Sequence, residues 1–426
     1  MSMTDYPDSE NCYGPVRVLS KSEHCLNRAD IDPDALRILY RLQKHGFIAY
    51  LCGGAVRDLL MGRKPKDFDI ATDARPGQIR KRFANVYIIG RRFRLAHVHF
   101  PGGKIIEVST FRRDLTNVEE SEPPAEITPE ALYGTPREDA FRRDVAINAL
   151  YYDDQTGEII DYAGGLEDLS ERRVRIIGDP AVRFAEDAVR IWRVVRYAAR
   201  LSFEIEEQTA RAIPVFASEL GTCAGSRLYE ELNKEFAGQT RPVLDALRAH
   251  GLLRHIIGRF GEEFETDDEL FGRVRALLDL KDRAWTEAYE MTREEMYALF
   301  FWPWAESVFA GEAGDLHAVL DRAFDQAKTQ AVFPKKMRMD IAQILILVAQ
   351  MNKALRTGRM RWSLKKRAHF EPAFRVFHLI EYGCPAPPET TFDILMGREP
   401  QPVSHLVAPP PVKRRPRRRR RPRLPQ

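Results

Sequence analysis

The sequence lacks any run of about 18 apolar residues, the length that a membrane-spanning helix needs. Its first residues, MSMTDYPDSENCYG, are polar and acidic and lack the basic start and apolar stretch of an export signal. We therefore expect no membrane partner and a cytoplasmic location. With 44% hydrophobic residues, the 426-residue chain has enough apolar material for two or three folded domains.

Cysteines in metal-binding or disulfide patterns are also absent. The five cysteines are odd in number and scattered along the chain. No CxxC, Cys/His or HExxH spacing of the kind that holds zinc is present. The pattern therefore argues against a disulfide-stabilised fold and against a zinc centre.

Acidic residues are missing from the C-terminal tail VKRRPRRRRRPRLPQ, although the chain as a whole has a formal net charge of only +4. Without the nine basic residues of the tail, the remainder carries about −5. A basic extension on an acidic body favours binding to nucleic acid, with a solvated tail or a membrane-surface anchor as the alternatives. Interleaved prolines disfavour an amphipathic membrane helix. The basic residues are Lys413, Arg414, Arg415, Arg417, Arg418, Arg419, Arg420, Arg421 and Arg423.

The hydrophobic periodicity divides the chain into an α+β part and an all-helical part. Short strands alternate with helices from Phe47 to Ile177, and the Gly102–Gly103 pair between two strands predicts an antiparallel hairpin. A small mixed sheet with helices on one face is expected there, and residues 114–138 read as a mobile loop. Helical spacing then continues to about Tyr382. The predicted units are a flexible lead-in (1–30), an α+β head (31–177), a helical neck (178–240), a helical body (241–400) and a disordered tail (401–426).

Two carboxylates in KPKDFDIAT are the first candidates for chemistry. Asp67 and Asp69 are two apart on a predicted strand, so both side chains emerge on one face. Glu107 lies among apolar residues in the strand KIIEVSTF and needs a partner. If the two strands are neighbours, the three acids form an oxygen-rich site suited to Mg²⁺. The alternative for the DxD pair alone is a solvated strand end.

A glycine pair stands between a predicted strand and a helix in LCGGAVRDLLMG. Gly53 and Gly54 would let a phosphate approach the backbone closely, with Arg57 one turn into the helix to meet it or to pair with Asp58 or Asp67. The segment is neither a GxGxxG nor a Walker motif, which disfavours dinucleotide binding and P-loop chemistry. A tight turn without a ligand is the alternative.

Four motifs in this order carry a family resemblance: GGAVRDLLMG, KDFDIAT, RRDVAINAL and EDAVRIWRVVRYAAR. Together they resemble the class II nucleotidyltransferases, the bacterial poly(A) polymerases and tRNA CCA-adding enzymes of the polymerase beta superfamily. The resemblance covers roughly residues 30 to 240. The stretch GRRFRLAHVHF, the segment RLYEELNK and the Arg-rich tail are more similar to the poly(A) polymerase branch.

The resemblance implies roles for matching residues. Asp67 and Asp69 become the metal-binding pair, and Gly53, Gly54 and Arg57 contact the triphosphate. It also implies that Asp144 is a catalytic carboxylate and that Arg143 lies near the nucleotide. The spacing analysis favours Glu107 as the third metal ligand and the motif favours Asp144, so both remain candidates. A salt bridge at a helix start is the alternative for Arg142, Arg143 and Asp144.

The segment EDAVRIWRVVRYAAR predicts one buried helix in which Glu186 and Asp187 pair with Arg190 at spacings of four and three. An acid and a guanidinium fixed in this way could read the Watson–Crick edge of adenine. The resemblance implies that these three residues select the base, and that Arg193 and Arg196 meet the phosphates or the ribose. A solvated charged face is the alternative.

The expected activity is that of a poly(A) polymerase, the template-independent addition of AMP from ATP to RNA 3′ ends. Two Mg²⁺ ions are the expected cofactors. A CCA-adding tRNA nucleotidyltransferase is the nearest alternative, and a non-catalytic RNA-binding protein with the same fold is the alternative of another class. His97 and His99, on one face of a strand, are expected to have structural or RNA-facing roles. RNA 3′ ends and ATP are the expected partners, and the sequence does not identify a protein partner.

Overall fold

The computed structural model describes residues 15–90, 94–113, 132–286, 291–311, 315–357 and 362–383. It confirms the α+β class: strands end early in the chain and helices follow. The strands are β1 (Arg17–Leu19), β2 (Ala49–Cys52), β3 (Asp69–Thr72), β4 (Val86–Ile89), β5 (Leu95–His99), β6 (Ile105–Thr110), β7 (Leu150–Asp153), β8 (Glu158–Asp161), β9 (Arg173–Val174) and β10 (Glu204–Ile205).

The head helices are α1 (Pro33–Lys44), α2 (Gly54–Leu60), α3 (Pro76–Arg82), α4 (Pro136–Phe141) and α5 (Gly165–Ser170). The helices that follow are α6 (Pro180–Glu186), α7 (Val189–Leu201), α8 (Glu207–Phe216), α9 (Gly225–Phe236), α10 (Arg241–Ala249), α11 (Leu253–Ile257), α12 (Arg259–Thr266), α13 (Asp268–Thr286), α14 (Arg293–Gly311), α15 (Leu316–Gln326), α16 (Lys335–Thr357) and α17 (Phe370–Tyr382). Among the helices that the structure describes, none is long and apolar enough to cross a membrane.

Eight of the strands form one mixed sheet in the order β1-β8-β7-β2-β3-β6-β5-β4. Among the described strands of this sheet, β3 and β6 are the one parallel pair of neighbours, and the other pairs are antiparallel. The predicted hairpin at Gly102 and Gly103 is confirmed, with both glycines at positive φ. The lead-in predicted as flexible contributes β1, which pairs with β8 as an edge strand. Its three residues are too few to show a period.

Both faces of the sheet carry helices, which corrects the expectation of one covered face. Apolar side chains of α1, α2 and α3 pack on one face. On the other face, Ala140 and Phe141 of α4 pack against Cys52, Ala71 and Tyr151. Helix α4 is only six residues long and mostly charged or small, so the sequence shows no apolar stripe for it.

The neck and body form one continuous hydrophobic core, which also includes Val145 and Ile147 of the head. Helix α7 contributes its fully buried Trp192 to this core, and the indole N–H donates to Glu235 of α9 at 2.8 Å. The head is therefore packed against the neck helix through shared apolar side chains. This packing fixes the face of the head that bears the candidate site relative to α7.

Candidate active site

The carboxylates of Asp69 and Glu107 lie on neighbouring strands and on the same face of the sheet. The parallel register pairs Ile70 with Val108, so the residues that precede them stand side by side. Burial is the largest cause that raises the pKa of Asp69 to about 6; the charges of Glu107 and Asp67 contribute to the rise and Arg143 opposes it. The strand pairing that the sequence could state only as a condition is therefore present.

Asp67 differs from its prediction because β3 begins at Asp69, which leaves Asp67 exposed just before the strand. Among the described residues, no group of three or more His, Cys, Asp or Glu side chains is arranged to hold a metal ion. The donor set still fits Mg²⁺, which prefers carboxylate oxygens. Burial first, and then the neighbouring carboxylates of Glu107 and Asp67, raise the pKa of Asp69, and a divalent cation bound there would stabilise its charged form.

A cavity of about 350 Å³ opens at these carboxylates. A larger one, of about 420 Å³, lies in the body beside Phe260 and Trp304, but no carboxylate pair of this kind lines it. Chemistry rather than size therefore selects the candidate site. Seven of the predicted site residues line the cavity at the sheet: Gly53, Gly54, Asp69, Glu107, Arg143, Asp144 and Arg193.

Gly53 forms the turn between β2 and α2 with φ +74°, a backbone conformation that favours glycine. Its N–H donates to the carbonyl of Leu150. A Cβ atom at this position would lie 3.3 Å from Nη1 of Arg143. The glycine therefore lets the turn and the guanidinium occupy the same wall of the cavity.

Arg143 is held by Asp139, a residue that the sequence analysis missed. Asp139 is fully buried and its Oδ2 accepts from Arg143 Nη2 at 3.0 Å and from the Tyr151 hydroxyl at 2.9 Å. Arg142 donates to the other oxygen at 2.9 Å. Burial alone would raise the pKa of Asp139, yet Arg143 and Arg142 outweigh it and hold that pKa below its usual value. The spacings of three and four to these arginines were the available signal.

Arg57 lies behind the cavity wall rather than in it. Its guanidinium donates to Asp58 at 2.7 Å and to the side chain of Asn148 at 2.5 Å, and it stands 5.9 Å from the centre of the Tyr197 ring. The predicted pairing with Asp58 is confirmed. The residue braces the glycine turn, since Nη2 would be 3.5 Å from a Cβ atom at Gly54.

Asp144 joins the head to the neck. Its carboxylate accepts from Arg193 Nη1 at 2.6 Å and from Arg190 Nε at 3.3 Å. Arg193 also donates to Glu231 of α9 at 2.9 Å. Asp144 thus lines the cavity with its charge already balanced by two arginines, whereas Glu107 is exposed beside Asp69.

The predicted single helix around Glu186 is interrupted. Helix α6 ends at Glu186, Asp187 adopts an extended backbone, and α7 begins at Val189. Glu186 pairs with Arg190 at 2.6 Å, as predicted. The carboxylate of Asp187 instead pairs with Arg227 of α9, so the expected ion pair between Asp187 and Arg190 is wrong.

Arg196 also differs from its expected position. Its side chain is buried and its guanidinium is ion-paired with Glu231 and Glu235 of α9. It does not line the cavity. The predicted RNA-binding arginines of the tail, from Lys413 to Arg423, and most of the predicted loop 114–138 lie outside the described residues.

Two family models match the chain. "Poly A polymerase head domain" matches residues 49–175, and "Probable RNA and SrmB- binding site of polymerase A" matches residues 202–261. Poly(A) polymerase I of Salmonella typhimurium is 35% identical over 95% of this chain and 93% of its own length. The CCA-adding enzyme of Bacillus pumilus is 38% identical, but over 48% of this chain and 50% of that enzyme. The Bacillus stearothermophilus CCA-adding enzyme in complex with CTP is similar in structure, with a TM-score of 0.60 and 27% identity over 86% of this chain and 82% of that one.

The mixed sheet with its adjacent carboxylates, the glycine turn and the helical neck define a nucleotidyltransferase. Within that class, the chain belongs to the poly(A) polymerase family, the branch of the class II nucleotidyltransferases that it matches over nearly its whole length. The matched CCA-adding relative covers about half of the chain, which makes adenylyl transfer the better supported activity.

Proposed function

We propose that the protein adds AMP from ATP to the 3′ ends of RNA in the cytoplasm and releases pyrophosphate. The observation that carries the proposal is the adjacent Asp69 and Glu107 in a cavity that Arg143 and Arg193 also line. Carboxylates that can hold a metal ion, next to guanidinium groups that can meet a phosphate, suit a reaction in which a hydroxyl attacks a phosphate. Sequence similarity to poly(A) polymerase I over 95% of the chain supports the addition of adenylate.

Asp67, Asp69 and Glu107 are the residues proposed to hold magnesium. Two Mg²⁺ ions, when bound there, would favour deprotonation of the attacking 3′ hydroxyl and neutralise the departing pyrophosphate. Between the two candidates for the third ligand, we favour Glu107. Its carboxylate is exposed next to Asp69, whereas that of Asp144 is engaged by Arg190 and Arg193.

The arginines and glycines of the cavity are proposed to bind and orient the triphosphate. Arg143 is fixed by Asp139, so it can meet a phosphate without first losing side-chain freedom. Gly53 and Gly54 keep the wall open for a close approach. The ion-paired Glu186 and Arg190 remain the candidates for reading adenine, and Asp187, bound to Arg227, would act by fixing the start of α7.

Polynucleotide binding is proposed for two regions. Residues 202–261 match a family model described as an RNA-binding site. The basic tail would add affinity that does not depend on sequence and weakens with salt. The helical region would thereby hold the RNA while the cavity performs the transfer.

The activity is tested by incubating the protein with Mg²⁺, a short unstructured RNA and each nucleoside triphosphate separately. Long tails made from ATP alone are expected. Extension confined to tRNA that lacks its CCA end would instead establish the CCA-adding alternative. Binding of RNA without any incorporation would establish a non-catalytic protein.

The metal ligands are tested by Asp67→Ala combined with Asp69→Ala. Nucleotide addition should be abolished while RNA binding is retained, because the carboxylates act on the reacting groups. Asp73→Ala is the matched control, since Asp73 is exposed at the far end of β3 and its Oδ1 accepts from Ile48 N–H. Activity that survives the double substitution would exclude this metal site.

A further inference from the structure

Four side chains form a row across the head sheet that begins at the candidate active site and ends at the sheet edge. Tyr87 of β4 is paired in register with His97 of β5, and His97 with Glu107 of β6. Glu107 stands beside Asp69 of β3. Residues paired in this way point to the same face of a sheet. The face that carries the reacting carboxylates therefore continues without interruption to the edge strand.

The outer end of this row is aromatic and open to solvent. Tyr87 is 62% exposed, and its ring meets that of His99 edge-on with centroids 4.8 Å apart. Ile105, the register partner of His99, is 45% exposed on the same face. The alternating residues of these strands point the other way and are buried or partly buried in the core under the head helices. The outer strands therefore present two partly exposed rings on one face, while their opposite face packs against the head helices.

The position of this surface relative to the reaction identifies its occupant. Cys52 of β2 is the register partner of Asp69 on the side away from Glu107, and the glycine turn and Arg143 lie on that side. The proposed triphosphate site is therefore on the β2 side of Asp69. An RNA whose 3′ hydroxyl reaches Asp69 has to leave from another side. Within the part of the chain that the structure describes, the row toward Tyr87 is continuous and each of its side chains is at least partly exposed.

The length and chemistry of the row fit a single RNA strand. Three strand spacings separate Tyr87 from Asp69, about 14 Å, which corresponds to about four stacked nucleotides. Exposed aromatic rings bind successive bases by stacking without sequence preference. We propose that Tyr87 and His99 form a stacking platform for bases of the RNA a few nucleotides before its 3′ end, an inference that rests on the proposed function.

The test compares Tyr87→Ala and Tyr87→Phe with Tyr40→Ala in the full-length protein. Tyr40 is equally exposed, at 62%, but lies on α1, which packs on the opposite face of the sheet. Loss of one stacking ring should raise the KM for an oligoadenylate primer about fivefold or more, with the KM for ATP unchanged. Tyr87→Phe should retain wild-type behaviour, because the ring and not the hydroxyl makes the contact.

A second measurement separates this proposal from the proposed function. Equilibrium binding of a fluorescent oligoadenylate without ATP should weaken about fivefold or more in Tyr87→Ala and stay unchanged in Tyr40→Ala. If the wild type adds no AMP, the proposed function fails while this comparison still decides the platform. Equal affinity and equal primer KM in Tyr87→Ala and the wild type would overturn it. A dimer in solution that Tyr87→Ala dissociates would also overturn it, since the face would then bind a second copy of the chain.

Discussion

Replacing Asp139 by Asn tests whether Arg143, the arginine proposed to meet the phosphates, depends on a buried carboxylate that does not itself line the cavity. The Asp139 side chain is fully buried, and that of Arg143 is 19% exposed. The substitution keeps the shape of the side chain but removes the negative charge that pairs with the guanidinium of Arg143. It also weakens the hydrogen bond from the Tyr151 hydroxyl, which now meets a neutral amide.

The magnitude follows from burial. Removing one partner of a buried ion pair costs about 3 to 5 kcal/mol. Because Arg143 keeps some access to water, we expect the lower end, about 3 kcal/mol of unfolding free energy. The freed guanidinium should also lose its position in the cavity. A charge-assisted hydrogen bond to phosphate is worth about 1.5 kcal/mol or more, so the KM for ATP should rise about tenfold.

The assay combines chemical denaturation with steady-state kinetics at saturating RNA. Asp168→Asn is the matched control, because Asp168 is also fully buried and pairs with two arginines, Arg173 and Arg175, but does not line the cavity. Both variants should lose stability, and only Asp139→Asn should change the KM for ATP. Equal ATP kinetics in the two variants would refute the positioning of Arg143 by Asp139.

Three further outcomes are expected. Gly53→Ala forces a side chain into a positive-φ turn and against Arg143, which should cost about 1 kcal/mol or more of stability and raise the KM for ATP; normal ATP kinetics would contradict the role of the turn. The pKa of Glu231 is lowered to about 2, since its arginine partners outweigh burial, so its contribution of about 3 kcal/mol is complete above pH 4.5 and lost as pH falls toward 2. The free energy of unfolding should therefore vary less with pH across that range in Glu231→Gln than in the control Glu230→Gln, because the side chain of Glu230 is exposed. Deleting residues 413–426 should reduce the salt dependence of RNA binding by up to about 6 in log–log slope, and an unchanged slope would remove the tail from RNA binding.

Local sequence patterns were enough to predict most of the helices and strands and the part of the site that Asp69 contributes. The apolar stripe of α1 and the hairpin at Gly102 follow from periods of 3.6 and 2 residues. The same alternation placed Asp69 opposite the buried Ile70. What it could not supply was the neighbour of β3, because the choice of β6 is a contact 38 residues away along the chain in the register Ile70 with Val108. The pairing of Asp69 with Glu107 therefore stayed conditional until the topology was known.

The errors at the neck have a common physical cause. A spacing of three or four residues predicts a contact only if the helix continues between the two residues, and the backbone of Asp187 leaves the helical region. Arg196 occupies a helical position, but its partners Glu231 and Glu235 come from α9, far along the chain. An arginine on a buried helix face pairs with the acid that lies nearest to it in space. Such a partner has no signature in local spacing.

The three charged residues of the RRD segment form ion pairs with two different parts of the protein, the head and the neck. Arg142 and Arg143 turn back into the head toward Asp139. Asp144 turns outward to Arg190 and Arg193 of the neck. Arg143 and Asp144 are joined by a single peptide bond, so a shift of α7 would be transmitted through Asp144 to Arg143 and to the cavity wall. Nucleotide binding should therefore depend on the docking of the neck, even though the carboxylates proposed to act on the phosphate belong entirely to the head.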